Sequence, residues 1–112
     1  MNRRRELSKA YKERRLIGGV YRIINKETGK FLLGYAVDIA STRNRFDFAV
    51  TTGSAVDPRL RADWDRYGPA AFRLEVLEEL EKPSEQTQAD FAADLQTLAQ
   101  LRRAEFVGAD EY

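Results

Sequence analysis

Two apolar runs in the first third of the chain, over residues 20–24 and 31–33, are separated by a polar segment over 25–30. Both runs are rich in the β-branched and large apolar residues that strands prefer. In the polar segment, Gly29 can take the positive φ that a tight turn needs. The pattern therefore predicts a β-hairpin.

Farther along the chain, apolar residues recur at helical spacing. Asp38 is a suitable N-cap for a helix over residues 39–50. Asp57, which precedes a proline, is a suitable N-cap for a second helix over residues 58–67. Gly68 can end that helix, because glycine readily adopts the backbone conformation that follows a helix C-terminus.

The periodicity of residues 71–80 is ambiguous, but the apolar residues Phe72, Leu74 and Val76 alternate with Arg73, Glu75 and Leu77, which favours a third strand antiparallel to the hairpin. After this strand, Ser84 is expected to cap a last helix of about 20 residues. The predicted buried stripe of that helix holds Phe91, Leu95, Leu98 and Phe106.

The chain begins with a strongly basic segment and ends with an acidic one. Residues 1–15 hold seven Lys or Arg against two Glu, whereas residues 75–112 hold three against ten acidic residues. Residues 3–16 contain no helix breaker, which predicts a basic helix whose cations either bind phosphate or form a solvated face. The candidate nucleic-acid-binding residues are Arg3, Arg4, Arg5, Lys9, Lys12, Arg14 and Arg15.

Together these elements predict a small single domain of the α+β class. Its three-stranded antiparallel sheet, the hairpin plus one later strand, is flanked by helices, with a basic N-terminal helix and a long C-terminal one. A length of 112 residues is enough for one hydrophobic core. The expected divisions are an N-terminal helix over 1–17, a domain over 18–107 and a tail over 108–112.

The residue types that are missing exclude several kinds of chemistry. The sequence has no cysteine and no histidine, which excludes disulfides, Cys/His zinc sites, cysteine nucleophiles and histidine bases. Catalysis would therefore depend on Tyr, carboxylates, Lys or Arg. No apolar run approaches the roughly 20 residues of a membrane-spanning helix, and no apolar signal core follows the first arginines. A cytoplasmic location without a membrane partner is expected.

The hairpin carries Gly-Val-Tyr at 19–21 and, after ten further residues, Leu-Leu-Gly at 32–34. With the arginine-bearing helix that follows and the helix, glycine and strand over 60–78, this order resembles the GIY-YIG nuclease family across residues 18–107. The resemblance implies a small bacterial-type domain with a three-stranded antiparallel sheet. It also implies an endonuclease that cuts DNA with Mg²⁺ or Mn²⁺, and hence a nucleic-acid partner, DNA in particular.

The resemblance assigns a catalytic group to this chain position by position. The family's first tyrosine falls on Tyr21, which is thereby implied to lie beside the attacking water. The family's arginine falls on Thr42, and its neighbours Arg43 and Arg45 are the side chains that can take its place. The candidate catalytic residues are therefore Tyr21, Arg43 and Arg45.

Besides Thr42, two more of the family's catalytic positions depart from its pattern. The second tyrosine falls on Leu32, and the glutamate that holds the metal falls near Leu101, where leucine offers no polar atom. Glu105 is one turn later on a similar helix face, so it is the candidate metal ligand.

Two hypotheses follow. In the first, the domain binds DNA through the basic helix and its arginines and hydrolyses it slowly with a metal. In the second, the chemistry has lapsed and no cofactor is needed, which leaves a nucleic-acid-binding or protein-interaction module. Each candidate also has a structural alternative. Tyr21 would be a half-buried strand residue, Arg43 and Arg45 surface residues, and Glu105 a solvated residue of a helix face. Trp64 is expected in the core rather than on a surface that stacks on a base.

Overall fold

A computed structural model describes residues 15–112 of the chain. Its three strands are β1 (Ile17–Asn25), β2 (Phe31–Ala36) and β3 (Phe72–Glu81). They form one antiparallel sheet in the order β2-β1-β3, so β1 is the central strand. The predicted hairpin and third strand are confirmed, and Gly29 in the turn has a φ of 78°.

Three α-helices surround the sheet: α1 (Ile39–Thr52), α2 (Arg61–Tyr67) and α3 (Gln88–Arg103). The caps predicted for the first two helical segments are confirmed. Asp38 accepts a hydrogen bond from the Ser41 amide at 3.2 Å, and Asp57 accepts one from the Arg59 amide at 2.8 Å. The segment after Asp57 begins as a 3-10 turn, Pro58–Leu60, before α2. The small α+β fold predicted from the sequence is thus the observed one.

The predicted start of the last helix is wrong. Its N-cap is Thr87, whose hydroxyl accepts a hydrogen bond from the Asp90 amide at 3.1 Å, and the helix has 16 residues. Ser84 instead donates a hydrogen bond to the Glu85 carboxylate at 2.9 Å. The Gln86 amide bonds back to the Pro83 carbonyl at 3.2 Å, so this segment is a turn.

One face of the sheet packs against α1 and α2. Trp64 of α2 is 1% exposed and stacks on Phe72 of β3 with ring centroids 4.9 Å apart. Its indole Nε1 donates a hydrogen bond to the Gly53 carbonyl at 3.1 Å. The prediction that Trp64 belongs to the core is confirmed.

The other face of the sheet packs against α3. Phe91 and Leu95 are fully buried there, as predicted, together with Ala99. Leu98 and Phe106 are only partly buried, against a cluster formed by Ala99 and apolar residues of β1 and β2.

The predicted tail, residues 108–112, is part of the fold, because its last residues pair with the edge of β2. We call residues 110–112 the C-terminal strap. The Phe31 amide donates to the Asp110 carbonyl at 3.1 Å, and the Tyr112 amide donates to the Phe31 carbonyl at 2.8 Å. The Tyr112 hydroxyl donates to Asp63 of α2 at 2.6 Å. Burial and this carboxylate raise the pKa of Tyr112 to about 12.

The basic helix predicted over residues 1–17 falls almost entirely outside the described residues. At its end, Arg15 and Leu16 belong to no helix, and Ile17 already begins β1. Pairing with β3 explains this, since the Lys82 amide donates to the Leu16 carbonyl at 2.8 Å. None of the helices within residues 15–112 is long and apolar enough to cross a membrane.

Candidate functional site

Tyr21 projects from the central strand toward the side of the sheet that carries α1. A register shift between Val20 and Tyr21 interrupts the pairing of β1 with β3 at this point. Across the hairpin Tyr21 pairs with Gly34, and its ring covers the position that a Gly34 side chain would occupy. A Cβ built on Gly34 would lie 2.9 Å from the Tyr21 hydroxyl oxygen. The glycine therefore allows the phenol to reach the β2 edge of the sheet.

Beside the Tyr21 ring lies a small cleft of about 190 Å³, which we call the inner cleft. Its polar lining comes from two elements, with Thr42 and Arg45 on α1 and Asp57 before the Pro58–Leu60 turn. Arg59 lies close enough to influence the cleft, because its positive charge, like that of Arg45, lowers the pKa of the Tyr21 phenol.

The charges around the inner cleft keep its groups in defined protonation states. Burial, and then the Asp57 carboxylate, raise the pKa of Tyr21, while Arg45 and Arg59 oppose the shift. The phenol is therefore neutral at physiological pH and can donate a hydrogen bond. Arg59 contacts both Asp57 oxygens, at 3.1 and 2.9 Å, and these bonds hold the pKa of Asp57 below its usual value.

A second depression, the edge groove, runs from Tyr21 over Gly34 to the α3 side of the sheet. Its volume is about 320 Å³, and Arg59 lines it together with Tyr21 and Gly34. Its other lining residues are Leu33, Tyr35, Gln96, Ala99, Gln100 and Arg103. The Arg103 Nε lies 2.8 Å from a carboxylate oxygen of Glu111 in the C-terminal strap.

The structure separates the two arginines predicted on α1. Arg45 lines the inner cleft, where its Nη2 donates to the Thr42 hydroxyl at 3.4 Å. Two residues are about 200° apart around a helix, so Arg43 projects from the opposite side. There it lines a shallow depression with Phe72 and Arg73.

Glu105, the predicted metal ligand, is not brought to either depression. It lies in the 3-10 turn after α3, where its carboxylate pairs with Arg102 at 3.1 Å. Leu101 is 65% exposed, whereas Leu32 is 3% exposed in the core beneath the sheet. The α3 side chains that do face the edge groove include Gln96 and Gln100.

Among the described residues, the side chains that line the inner cleft do not fit a resident Mg²⁺ or Mn²⁺. Both oxygens of Asp57 are engaged by Arg59, and an arginine fork cannot ligate a cation. Within residues 15–112, no group of three or more acidic side chains is placed to hold a metal.

The predicted basic cluster lies outside the described residues except for its last member. Arg15 is exposed and pairs with Glu81 of β3 at 3.3 Å. The other predicted phosphate-binding residues stay a prediction: Arg3, Arg4, Arg5, Lys9, Lys12 and Arg14.

Three charged residues of the site were missed by sequence reasoning. Asp57 and Arg59 had a local signal, because a capping Asp and an Arg two residues later can form the observed ion pair. Arg103 had none, since only the packing of α3 on the sheet brings it to the edge groove.

Comparison with known proteins gives one structural likeness. The chain is similar to the catalytic domain of the intron endonuclease I-TevI, solved as a mutant, with a TM-score of 0.46 and 23% sequence identity. The match covers 58% of this chain and 66% of that one, so it spans just under two thirds of the endonuclease domain. No protein-family model matches the chain, and no curated protein does.

Proposed function

We propose that this chain is a divergent GIY-YIG-type protein that binds the phosphate backbone of DNA at the inner cleft. The observation that carries the proposal is the presence of a neutral, half-buried phenol and an arginine in one cleft, Tyr21 with Arg45. Arg59, which lines the neighbouring edge groove, adds a second positive charge that acts on the same phenol. The arginines can neutralise a phosphate, and the phenol can donate a hydrogen bond to one of its oxygens.

The pairing of Arg59 with Asp57 supports this use of the cleft. Two contacts with the carboxylate fix the guanidinium, so little side-chain entropy is lost when a phosphate arrives. Within residues 15–112, the guanidinium of Arg45 makes one long hydrogen bond, to Thr42, which leaves donors for a ligand.

We expect Arg45→Gln to weaken binding of a short DNA duplex roughly ten-fold, which is the usual effect of losing one charged hydrogen bond. The salt slope of the affinity should also fall by about one, because one phosphate contact is lost. Fluorescence anisotropy titrations between about 50 and 200 mM salt measure both quantities.

Arg43→Gln is the matched control, since both arginines are exposed on the same helix but project from opposite sides. Any contribution from the basic N-terminal residues is identical in the two variants. Equal losses in both variants would contradict binding at the inner cleft. An affinity independent of salt would point to a different kind of partner.

The alternative hypothesis of slow phosphodiester hydrolysis has one observation in its favour, that Asp57 shares the inner cleft with Tyr21, and one against it, that Arg59 engages both Asp57 oxygens. The test incubates supercoiled and branched DNA with Mg²⁺ or Mn²⁺, with Tyr21→Phe as the control. Because the donor set does not fit these metals, we expect no cleavage and no saturable Mn²⁺ binding. Cleavage that Tyr21→Phe abolishes would instead establish the nuclease, and Mn²⁺ binding that Glu105→Ala abolishes would show that Glu105 holds a metal.

A further inference from the structure

The edge groove differs from the inner cleft in running across the border of the sheet. Strand β2 is an edge strand, and Gly34 leaves its side open next to the Tyr21 hydroxyl. The groove therefore connects the Tyr21 side of the sheet with the α3 side. A ligand in it would pass around one strand, which a thin, flexible polymer can do and a rigid duplex cannot.

On the α3 side, the groove presents an aromatic ring. Tyr35 is 40% exposed and lines the groove next to Leu33. A nucleic-acid base can stack on such a ring only when it is unpaired and turned out of its own stack. An accessible tyrosine in a groove that also holds arginines thus favours single strands over duplex.

The polar groups around Tyr35 suit a base and its phosphate. Gln96, Gln100 and Arg103 follow one another at helical spacing on the groove side of α3. The two amide side chains offer both donors and acceptors to the edge of a base, and Arg103 offers the guanidinium donors that its Nε bond to Glu111 leaves available.

The sheet edge adds main-chain groups. The outward amide and carbonyl of Phe31 are taken up by the C-terminal strap. Backbone groups in an antiparallel strand alternate in direction, so those of Leu33 and Tyr35 also point outward, into the groove.

We propose that the edge groove binds single-stranded nucleic acid, with one base stacked on Tyr35 and the adjacent phosphate between Arg59 and Arg103. This inference rests on the proposed function, since the same strand continues toward the inner cleft at Tyr21. The volume of about 320 Å³ is at the lower end of the range for small-molecule sites, which suits a single nucleotide.

The test is an anisotropy titration of the full chain with labelled oligothymidylate of about 12 nucleotides and with a blunt duplex of equal length. Tyr35→Ala should weaken single-strand binding roughly ten-fold, the usual effect of losing one stacked base. Tyr35→Phe should keep the wild-type affinity, because the ring remains. Leu101→Ala, at an exposed α3 position away from the groove, should also keep it.

Duplex binding should be unchanged in Tyr35→Ala. An unchanged single-strand affinity, or equal losses for single strand and duplex, overturns the inference. Circular dichroism of each variant verifies that the fold is intact. Repeating the titration with oligouridylate shows whether the groove prefers RNA or DNA. An affinity for either oligonucleotide that Tyr35→Ala weakens supports the inference.

The two proposals fail separately. If Arg45→Gln leaves duplex binding unchanged while Tyr35→Ala weakens single-strand binding, the inner cleft is refuted and the edge groove stands. If Tyr35→Ala has no effect while Arg45→Gln weakens duplex binding, the reverse holds.

Discussion

Trp64→Ala is expected to lower the free energy of unfolding by about 3–5 kcal/mol, the usual cost of removing a large aromatic side chain from a core. The residue is 1% exposed and contacts Phe72 and Phe46, so its removal leaves a cavity that both rings border. Since the free energy of unfolding of a small domain is about 5–15 kcal/mol, the variant would lose a large part of it.

Urea denaturation followed by circular dichroism measures this loss. Tryptophan fluorescence cannot, because Trp64 is the one tryptophan of the chain. Phe48→Ala is the control, since that aromatic residue is 68% exposed on α1 and its loss should have little effect. Equal losses in the two variants would contradict the assignment of Trp64 to the core.

The second large effect concerns two glycines of the hairpin. We expect Gly19→Ala to cost about 1–3 kcal/mol, because the new Cβ would lie 2.7 Å from the main-chain oxygen of Glu78 on β3. Gly34→Ala should cost less, since its Cβ meets side-chain atoms of Tyr21, the hydroxyl oxygen at 2.9 Å and the ring Cζ at 3.0 Å, and no main-chain atom. The same methyl group therefore strains the backbone at Gly19 and displaces the Tyr21 side chain at Gly34.

The effect on single-strand binding should rank the two variants the other way, with the larger loss of affinity in Gly34→Ala than in Gly19→Ala. Gly34→Ala narrows the passage between the inner cleft and the edge groove and displaces the Tyr21 hydroxyl, so it should weaken single-strand binding. Urea denaturation and anisotropy on the same preparations give both rankings. A Gly34→Ala variant that is destabilised as much as Gly19→Ala, with unchanged binding, would contradict this reading of Gly34.

The parts of the fold that the sequence predicted are those with local signals. The hairpin depends on two apolar runs and a turn with Gly29, and the helix caps at Asp38 and Asp57 depend on side-chain bonds within three residues. The cap at Ser84 was mispredicted because Thr87, three residues later, offers the same hydroxyl chemistry. Which of the two hydroxyls caps the helix depends on how the turn between them packs, and the sequence does not show this.

The candidate site was harder to predict because it is assembled from distant segments. Tyr21 followed from its motif, but the choice between Arg43 and Arg45 depends on the rotation of α1 against the sheet. The same is true at the end of α3. Helical spacing alone does not predict whether Glu105 or Arg103 faces the sheet edge.

The central position of β1 also determines when the sheet can be completed during protein synthesis. Tyr21 pairs with Gly34 on one side and with Val76 on the other. The hairpin half can form within about 1–10 μs once both strands have left the ribosome. The opposite edge of β1 must wait for β3, and at about 5–20 residues per second that delay lasts several seconds. During this interval the apolar residues of β1 are exposed to nascent-chain chaperones and to pairing with other chains.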